Sequence, residues 1–531
     1  MTLRSVIGAS LLCLAALSPA TNIQNGGLAN FINYGFAGSL FYSVAVDSTG
    51  RMTAVGSLYF GPDGPAPFYT TFSPNGSQTQ EATGSNGDGI GAFTNAVTDS
   101  SGNVYYCGSA LGFGTGYDMT VAKKEANTFT GWGAAYNGTA NTDDKPCGIA
   151  TDSSGNVYVA ATINKGFSSS SNVAITKYTS TGTVVYQDTA VGPAGCRANA
   201  MCVAPNGHVY VAGQSGGSFV VMSVDGSGNA QPPYLPDTVA GNATSIACDS
   251  NSNVVVGGYT GTVTSCKARF AEFTATGSLT WLEDYSTITN NNLSAGVQMD
   301  FAGNAILTVV QTPSNFQFGV NGQQLDTYKV SGAGTLKWHV TFKGLSVGTP
   351  SVTPGGVLVD KFGDTYISGG SYFSNQYPTA SYLVKYNPSG TLMFTLYHGT
   401  VGQNETPVMM TMDANQDIYA AGNLSSTGAG YFGIILHWVQ APIANNDAYT
   451  VVHGSTLTVA LPGVLANDTF AKGALVTIKS QPAHGILSPN SNGSFTYKSD
   501  SSFIGTVTFT YTAQKSAGGL SNVATVTITI T

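Results

Sequence analysis

A phrase of about ten residues recurs eight times along this chain of 531 residues, and that recurrence restricts the fold more than any other feature of the sequence. Its clearest copies begin at Asp47 (Asp47-Ser48-Thr49-Gly50), Asp99 (Asp99-Ser100-Ser101-Gly102-Asn103-Val104-Tyr105) and Asp152 (Asp152-Ser153-Ser154-Gly155-Asn156-Val157-Tyr158). Looser copies follow at Ala204-Pro205-Asn206-Gly207, Asp249-Ser250-Asn251-Ser252-Asn253, Asp300-Phe301-Ala302-Gly303-Asn304, Asp360-Lys361-Phe362-Gly363-Asp364 and Asp413-Ala414-Asn415-Gln416-Asp417. The period is about 52 residues, which marks a repeat architecture.

The phrase has a physical task. Apolar alternation precedes it (Ile149-Ala150-Thr151) and resumes after it (Val157-Tyr158-Val159). Asp accepts hydrogen bonds from the backbone two residues on, and Gly takes the positive φ of a tight turn. Asp47, Asp99, Asp152, Asp249, Asp300, Asp360 and Asp413, with Gly50, Gly102, Gly155, Gly207, Gly303 and Gly363, therefore read as hairpin-turn residues. A second hairpin in each period turns at Gly76, Gly182, Gly228, Gly277, Gly334 or Gly390. Two hairpins give four strands per period, the content of one β-propeller blade. The expected fold is all-β: eight four-stranded blades, or seven if one degenerate repeat is a loop insertion. Residues Gly26 to Tyr34 align with the last strand of a blade, and Gly433 to Trp438 with the strand before it. One blade is thus expected to be split between the two ends of the repeat region, which would leave no open sheet edge.

The turn phrase and its partner strand, Lys-Tyr-x-x-x-Gly-x-Leu-x-Trp in outline, resemble the bacterial SBBP-type β-propeller repeat. The resemblance covers roughly residues 26 to 440, is closest in the third and seventh repeats, and weakens in the fourth and fifth. It implies an extracytoplasmic propeller and brings no catalytic residue. Past Val439 the texture changes. Six or seven strand-like runs between 443 and 531 suggest an immunoglobulin-like or cadherin-like sandwich. Ala444-Asn445-Asn446-Asp447, Gly463-Val464-Leu465-Ala466-Asn467-Asp468 and Gly493-Ser494-Phe495-Thr496-Tyr497 resemble bacterial cadherin-like and VCBS-type domains. In place of an acidic, calcium-compatible run, Asp468 is followed by Thr469-Phe470-Ala471-Lys472-Gly473, which offers few hard oxygen ligands.

Only 9% of residues are charged, yet 42% are hydrophobic, with 27 Tyr and 25 Phe, so the chain reads as packed β structure and not as disorder. A net charge of −8 without a basic stripe speaks against nucleic acid. Arg4, the apolar Val6 to Leu17 and Ser18-Pro19-Ala20 have the order of a secretory signal over residues 1–20. A propeller over 21–440 and a sandwich over 441–531 would follow, with no transmembrane segment in the mature chain. Export leaves Cys107, Cys147, Cys196, Cys202, Cys248 and Cys266 to form up to three disulfides or to remain as buried thiols.

Other motifs are weak. Gly213-Gln214-Ser215-Gly216-Gly217 matches the hydrolase elbow, but Phe219 to Met222 resumes a strand where a helix is needed. Asp413 to Asp417 opens like a calcium loop without its Gly or its terminal Glu. The six His are scattered. Trp132, Trp281 and Trp338 could stack on sugars, but their repeat positions favour packing between blades. The carboxylates outside the phrase, Asp118, Asp143, Asp144, Glu272, Glu283 and Asp284, show no pairing. The reading is a secreted or cell-surface, non-enzymatic binding or adhesion protein with a protein or glycan ligand and no cofactor. The alternatives are a polysaccharide hydrolase or lyase with its site at the propeller channel, and a structural matrix component.

Overall fold

The computed structural model describes residues 27–35, 37–59, 64–83, 90–112, 114–126, 128, 130–138, 141–163, 171–234, 239–262, 265–288, 295–311, 323–344, 352–371, 379–399, 403–426, 430–515 and 519–531. The signal-like segment 1–20 lies outside them.

Strands build eight four-stranded antiparallel sheets, one per repeat. The third is typical: Lys145–Thr151 innermost, then Val157–Ile163, Asn172–Tyr178 and Val184–Val191. Its second strand is buried along its whole length. That strand lies inside a stack of sheets, which is why it reads as a continuous apolar run and not as an alternating one. The core therefore lies between blades. Tyr158, Ala160, Val173 and Ile175 of the third blade pack with Val209, Val211, Val220 and Met222 of the fourth.

The last blade joins the two ends of the repeat region. Gln403–Met412, Ile418–Ser426 and Gly430–Val439 form its first three strands, and Gly27–Asn33 supplies the fourth. Tyr34 N–H donates to the Gly433 carbonyl at 3.0 Å, and Gly38 N–H to that of Tyr431 at 2.8 Å. The Phe41 N–H of the first blade donates to Asn423 Oδ1 at 2.9 Å. Eight blades are present, so no repeat is a loop insertion.

Two details recur around the stack. Six innermost strands carry an irregularity at one height: Phe41/Ser43, Phe93/Asn95, Pro146/Gly148, Ala198/Ala200, Ala243/Ser245 and Pro354/Gly356. A bulge there pushes one carbonyl toward the second strand. In five blades the residue facing it is glycine: Gly56, Gly108, Gly213, Gly258 and Gly369. A Cβ at any of them would fall well inside contact with that carbonyl.

The second detail joins neighbouring blades. The turn glycine of one second hairpin lies on an aromatic ring from the outer strand of the blade before it. Gly182 lies on Trp132, Gly228 on Tyr186, Gly277 on Tyr234, Gly334 on Trp281 and Gly390 on Trp338. Trp132 Nε1 also donates to the Ser180 carbonyl at 3.1 Å, and Trp338 Nε1 to that of Pro388 at 3.0 Å. The tryptophans are thus engaged in packing between blades.

The chain divides into two compact units, one holding 32–411 and 419–435, the other 436–531 with 27–31 and 412–418. Within the second, a sandwich pairs a four-stranded sheet (Asp447–Val451, Ala524–Ile530, Gly505–Gln514, Leu475–Ser480) with a three-stranded one (Thr456–Val459, Phe495–Lys498, Ile486–Pro489). Its first strand runs parallel to its last. Phe495, Tyr497, Phe509, Tyr511, Val526 and Ile528 fill the core. Tyr511 pins the entry loops: its hydroxyl donates to the Val464 carbonyl at 2.8 Å and lies 3.0 Å from both Asp468 oxygens.

At Gly182, with φ +88°, an added Cβ would sit 2.6 Å from the Trp132 ring, whereas at Gly217, with φ +84°, it would meet nothing within 4 Å. Gly182→Ala should therefore destabilise the propeller by roughly 1–3 kcal/mol more than Gly217→Ala, the difference being overpacking and not backbone strain. Urea midpoints of the two variants check this.

Candidate functional site

In the seven blades built from one continuous stretch, both hairpin turns lie at the same end of the sheet, because four antiparallel strands in sequence order place the first and third turns together. That face carries the repeated phrase, and its Asp-centred chemistry recurs in seven of the eight repeats. Asp152 Oδ1 accepts the N–H groups of Ser154 and Asn156, each at 2.9 Å. Oδ2 accepts Asn156 Nδ2 at 2.8 Å and the Tyr158 hydroxyl at 3.0 Å. Asp99 repeats the set with Ser101, Asn103 and Tyr105. Asp360 accepts the Phe362 and Asp364 N–H groups and the Tyr366 hydroxyl, but Asp364 stands where the other two repeats have an Asn side-chain donor. Asp249, Asp300 and Asp413 keep the two backbone bonds, and Asp47 adds Arg51, whose Nη2 lies 2.8 Å from Oδ2. Gly50, Gly102, Gly155, Gly207, Gly303 and Gly363 all take φ between +73° and +84°. Burial alone would raise the Asp152 carboxyl. The bonds from Asn156, Tyr158 and Ser154 outweigh it and hold the group below the usual carboxylate range.

A lysine on the third strand completes several of these clusters. Lys329 Nζ lies 2.9 Å from Asp300 Oδ2, and Lys385 Nζ lies 2.7 Å from Asp364 and over the Tyr366 ring. Lys177 stands over Tyr158 in the same way. In the fifth blade Glu272 occupies that position, buried beside Asp249 and accepting Trp281 Nε1 at 3.0 Å. Burial pushes its carboxyl up to about 7, the indole bond opposes the rise, and the charge of Asp249 adds to it.

The fourth repeat has Ala204 where the others have Asp, and its turn rests on Asn206 Oδ1, which accepts the His208 N–H. There Cys202 and Cys248, with Cα atoms 6.1 Å apart, form a disulfide between the innermost strands of blades four and five. The six cysteines do not form three bridges. Cys107, Cys147 and Cys196 are thiols, and the Cys266 side chain lies outside the described residues. Burial in apolar surroundings pushes the Cys147 thiol up to about 12, and burial together with the Cys147 charge raises that of Cys107, so neither supplies the thiolate that disulfide exchange requires.

The other sequence candidates do not converge. Asp118, Asp143 and Asp144 belong to the second blade and the loop after it, where the Tyr117 N–H donates to Asp143 and the Thr115 hydroxyl to Asp118. Glu272, Glu283 and Asp284 lie on the fifth blade, and Asp284 is held by Arg269 at 2.8 Å. Ser215 ends one strand of a hairpin whose next strand begins at Ser218, so no helix follows it. In the calcium-like loop the Asp417 carboxylate receives Lys515 Nζ at 2.7 Å. Among the described residues no group of three His, Cys, Asp or Glu could hold a metal ion. None of their helices is long and apolar enough to cross a membrane.

One concave feature lies on the turn face. A cleft of about 310 Å³ runs between blades six and seven, bordered by Phe301, Lys329, Lys337, Lys361, Phe362 and Pro388. Phe301 is 73% exposed and Phe362 45% exposed, and Lys361 Nζ stands 5.0 Å from the Phe362 ring centre. A volume of this size is at the lower end of ligand clefts, which span about 300–1,000 Å³. A second cleft, of about 560 Å³, lies in the sandwich beside Leu461 and Leu475.

Two outcomes follow from the clasps. Asp152→Ala should lower propeller stability by roughly 1–3 kcal/mol, since it strands two backbone donors and a buried hydroxyl. Tyr158→Phe should lower it less; denaturant titration measures both. Glu272, raised from 4.5 to about 7, retains in the folded state a proton that the unfolded chain releases. Its contribution is therefore complete below about pH 4.5 and is lost as the pH rises through 7. Glu272→Gln should leave stability unchanged at pH 4 and raise it by roughly 1–3 kcal/mol at pH 8, as read from melting curves at the two pH values.

The family model of the bacterial cadherin-like domain matches residues 440–531, and that of the SBBP beta-propeller repeat matches 134–168. No curated protein sequence matches the chain. Similar solved structures include a eukaryotic initiation factor, at 11% identity over 68% of this chain and 79% of that one, with a TM-score of 0.38. A Lactobacillus plantarum protein is 14% identical over 68% of this chain and 98% of that one, with a TM-score of 0.40. A gluconolactonase from Xanthomonas campestris is 14% identical over 53% of this chain and 82% of that one, with a TM-score of 0.29. Likeness at this level carries no reading of activity. The chain therefore joins an eight-bladed propeller, in which residues 134–168 match the SBBP beta-propeller repeat, to a bacterial cadherin-like domain over 440–531.

Proposed function

We propose that the protein acts outside the cell as a non-enzymatic binding or adhesion protein. In this reading residues 1–20 direct export and are removed, the propeller over 21–440 presents the ligand surface, and the module over 441–531 serves as spacer or adhesive unit. The observation that carries it is the presence in one chain of a propeller and a bacterial cadherin-like domain. The inference from these folds to binding is one of analogy, because a fold by itself hosts many functions. A repeated scaffold supports the reading physically. It holds many turns and loops rigidly, so side chains at their tips can change without disturbing the core. The acidic residues of the phrase support it too, since their oxygens are engaged by the turns they hold and are poorly placed for acid–base chemistry.

The test is retention of the purified mature protein on immobilised polysaccharides and cell-envelope fractions, with mass spectrometry of the soluble phase. Retention without new products is the expected result. Release of oligosaccharides would overturn the non-enzymatic reading, and failure to be retained on any fraction would overturn binding.

A further inference from the structure

A repeat protein contains its own controls: a residue that departs from the repeat at a position where the other copies agree has been freed from the shared structural task. We infer from such departures that the cleft between blades six and seven binds an acidic saccharide. The inference rests on the binding reading above and gives it a site and a ligand class.

The first position after the turn Asp is Ser48, Ser100, Ser153, Pro205, Ser250 and Ala414 in six repeats, but Phe301 and Lys361 in the sixth and seventh. The second position is Thr49, Ser101, Ser154, Asn206, Asn251, Ala302 and Asn415, but Phe362 in the seventh. Three residues past the second-hairpin glycine the copies share no residue type (Thr79, Val185, Gln231, Thr280 and Met393), and Lys337 of the sixth is the one charged residue there. The three departures, Phe301, Lys361 and Phe362, lie on two adjacent blades and border one cleft together with Lys337. Two phenyl rings exposed at turn tips also lose contact with water only when something covers them.

The chemistry of the border defines the ligand. Lys329 at the floor is paired with Asp300 and contributes little net charge. Lys337 and Lys361 are exposed on the rim, and against the turn carboxylates Asp300 and Asp360 the three lysines that border the cleft leave a small excess of positive charge, suited to carboxylate or sulfate groups. The phenyl faces offer stacking surface to the C–H faces of sugar rings. A peptide is less well served. The Ala302 and Phe362 N–H groups donate to Asp300 and Asp360, and those of Gly303 and Gly363 to the carbonyls of the same residues. The tips therefore present neither an open strand edge nor a row of backbone donors, on which extended-peptide recognition depends.

The test uses the full-length mature protein and calorimetric titration with alginate oligosaccharides, neutral dextran oligosaccharides and poly-glutamate. Alginate should bind, with an affinity that falls as salt rises, and dextran should not. Phe301→Ala with Phe362→Ala should weaken alginate at least tenfold, and Lys337→Gln with Lys361→Gln should weaken it and flatten the salt dependence. Melting temperatures of all four single variants should stay at the wild-type value, since these side chains are exposed. Alginate binding untouched by both double variants would overturn the site while leaving the binding reading intact. Poly-glutamate binding as tightly as alginate would overturn the saccharide class. Failure of alginate in a protein that is still retained on envelope fractions would overturn this inference alone, and loss of both would remove the broader reading with it.

Discussion

A carboxylate that accepts the backbone N–H groups of the residues two and four positions on is the interaction on which this architecture depends. It converts Asp-x-x-Gly into a turn of one shape, and like turns start the strands that follow them at equal heights. The consequences extend inward. Since the hairpins start in register, five second hairpins bring their glycine over the aromatic ring of the blade before, and six innermost strands carry a bulge at one level. A turn of variable shape would move ring, glycine and bulge apart together. The burial cost of seven carboxylates is met locally: backbone amides, an Asn or Tyr two to six residues on, and in several blades a lysine from the third strand take up their oxygens.

The architecture was legible because its signals are local and repeated. Asp152, Gly155 and the alternation on either side define a hairpin without reference to the rest of the chain, and eight copies turn a weak signal into a count. The split blade was legible for the same reason, since Gly26 to Tyr34 reads as a fourth strand with no first three. The strand glycines Gly56, Gly108, Gly213, Gly258 and Gly369 went unread. Their role depends on a carbonyl displaced by a bulge in another strand, although their shared place in the repeat was a signal available to find them. The pairing of cysteines could not be read either. It depends on which two of several strand ends reach about 6 Å, and Cys202 with Cys248 meets that where blades four and five adjoin. The cleft at Phe301 and Phe362 comes from different repeats and becomes one feature only once neighbouring turns share a face.

Blades four and five are the place where the repeat is weakest and the compensations are concentrated. Ala204 removes the carboxylate of one turn, and Glu272 replaces the lysine that would balance the next. The disulfide joins the innermost strands of these two blades. By loop-closure reasoning a covalent link across 46 residues is worth about 4 kcal/mol. A bond of this kind persists in an oxidising compartment, which agrees with the exported location proposed for the protein.

The final blade has a consequence for how the molecule comes into being. Its outer strand, Gly27–Asn33, is made first, and its partner, Gly430–Val439, about four hundred residues later. Closing so long a loop adds little to the equilibrium free energy, because the entropy grows only with the logarithm of length, but it makes this pairing one of the highest contact order in the chain and a late kinetic event. Until it forms, the backbone of Gly430–Val439 is an open edge that any extended strand can extend. The N-terminal strand therefore acts as an intramolecular competitor against strand exchange between copies. A molecule nicked between this strand and the first blade would be prone to trade strands with its neighbours.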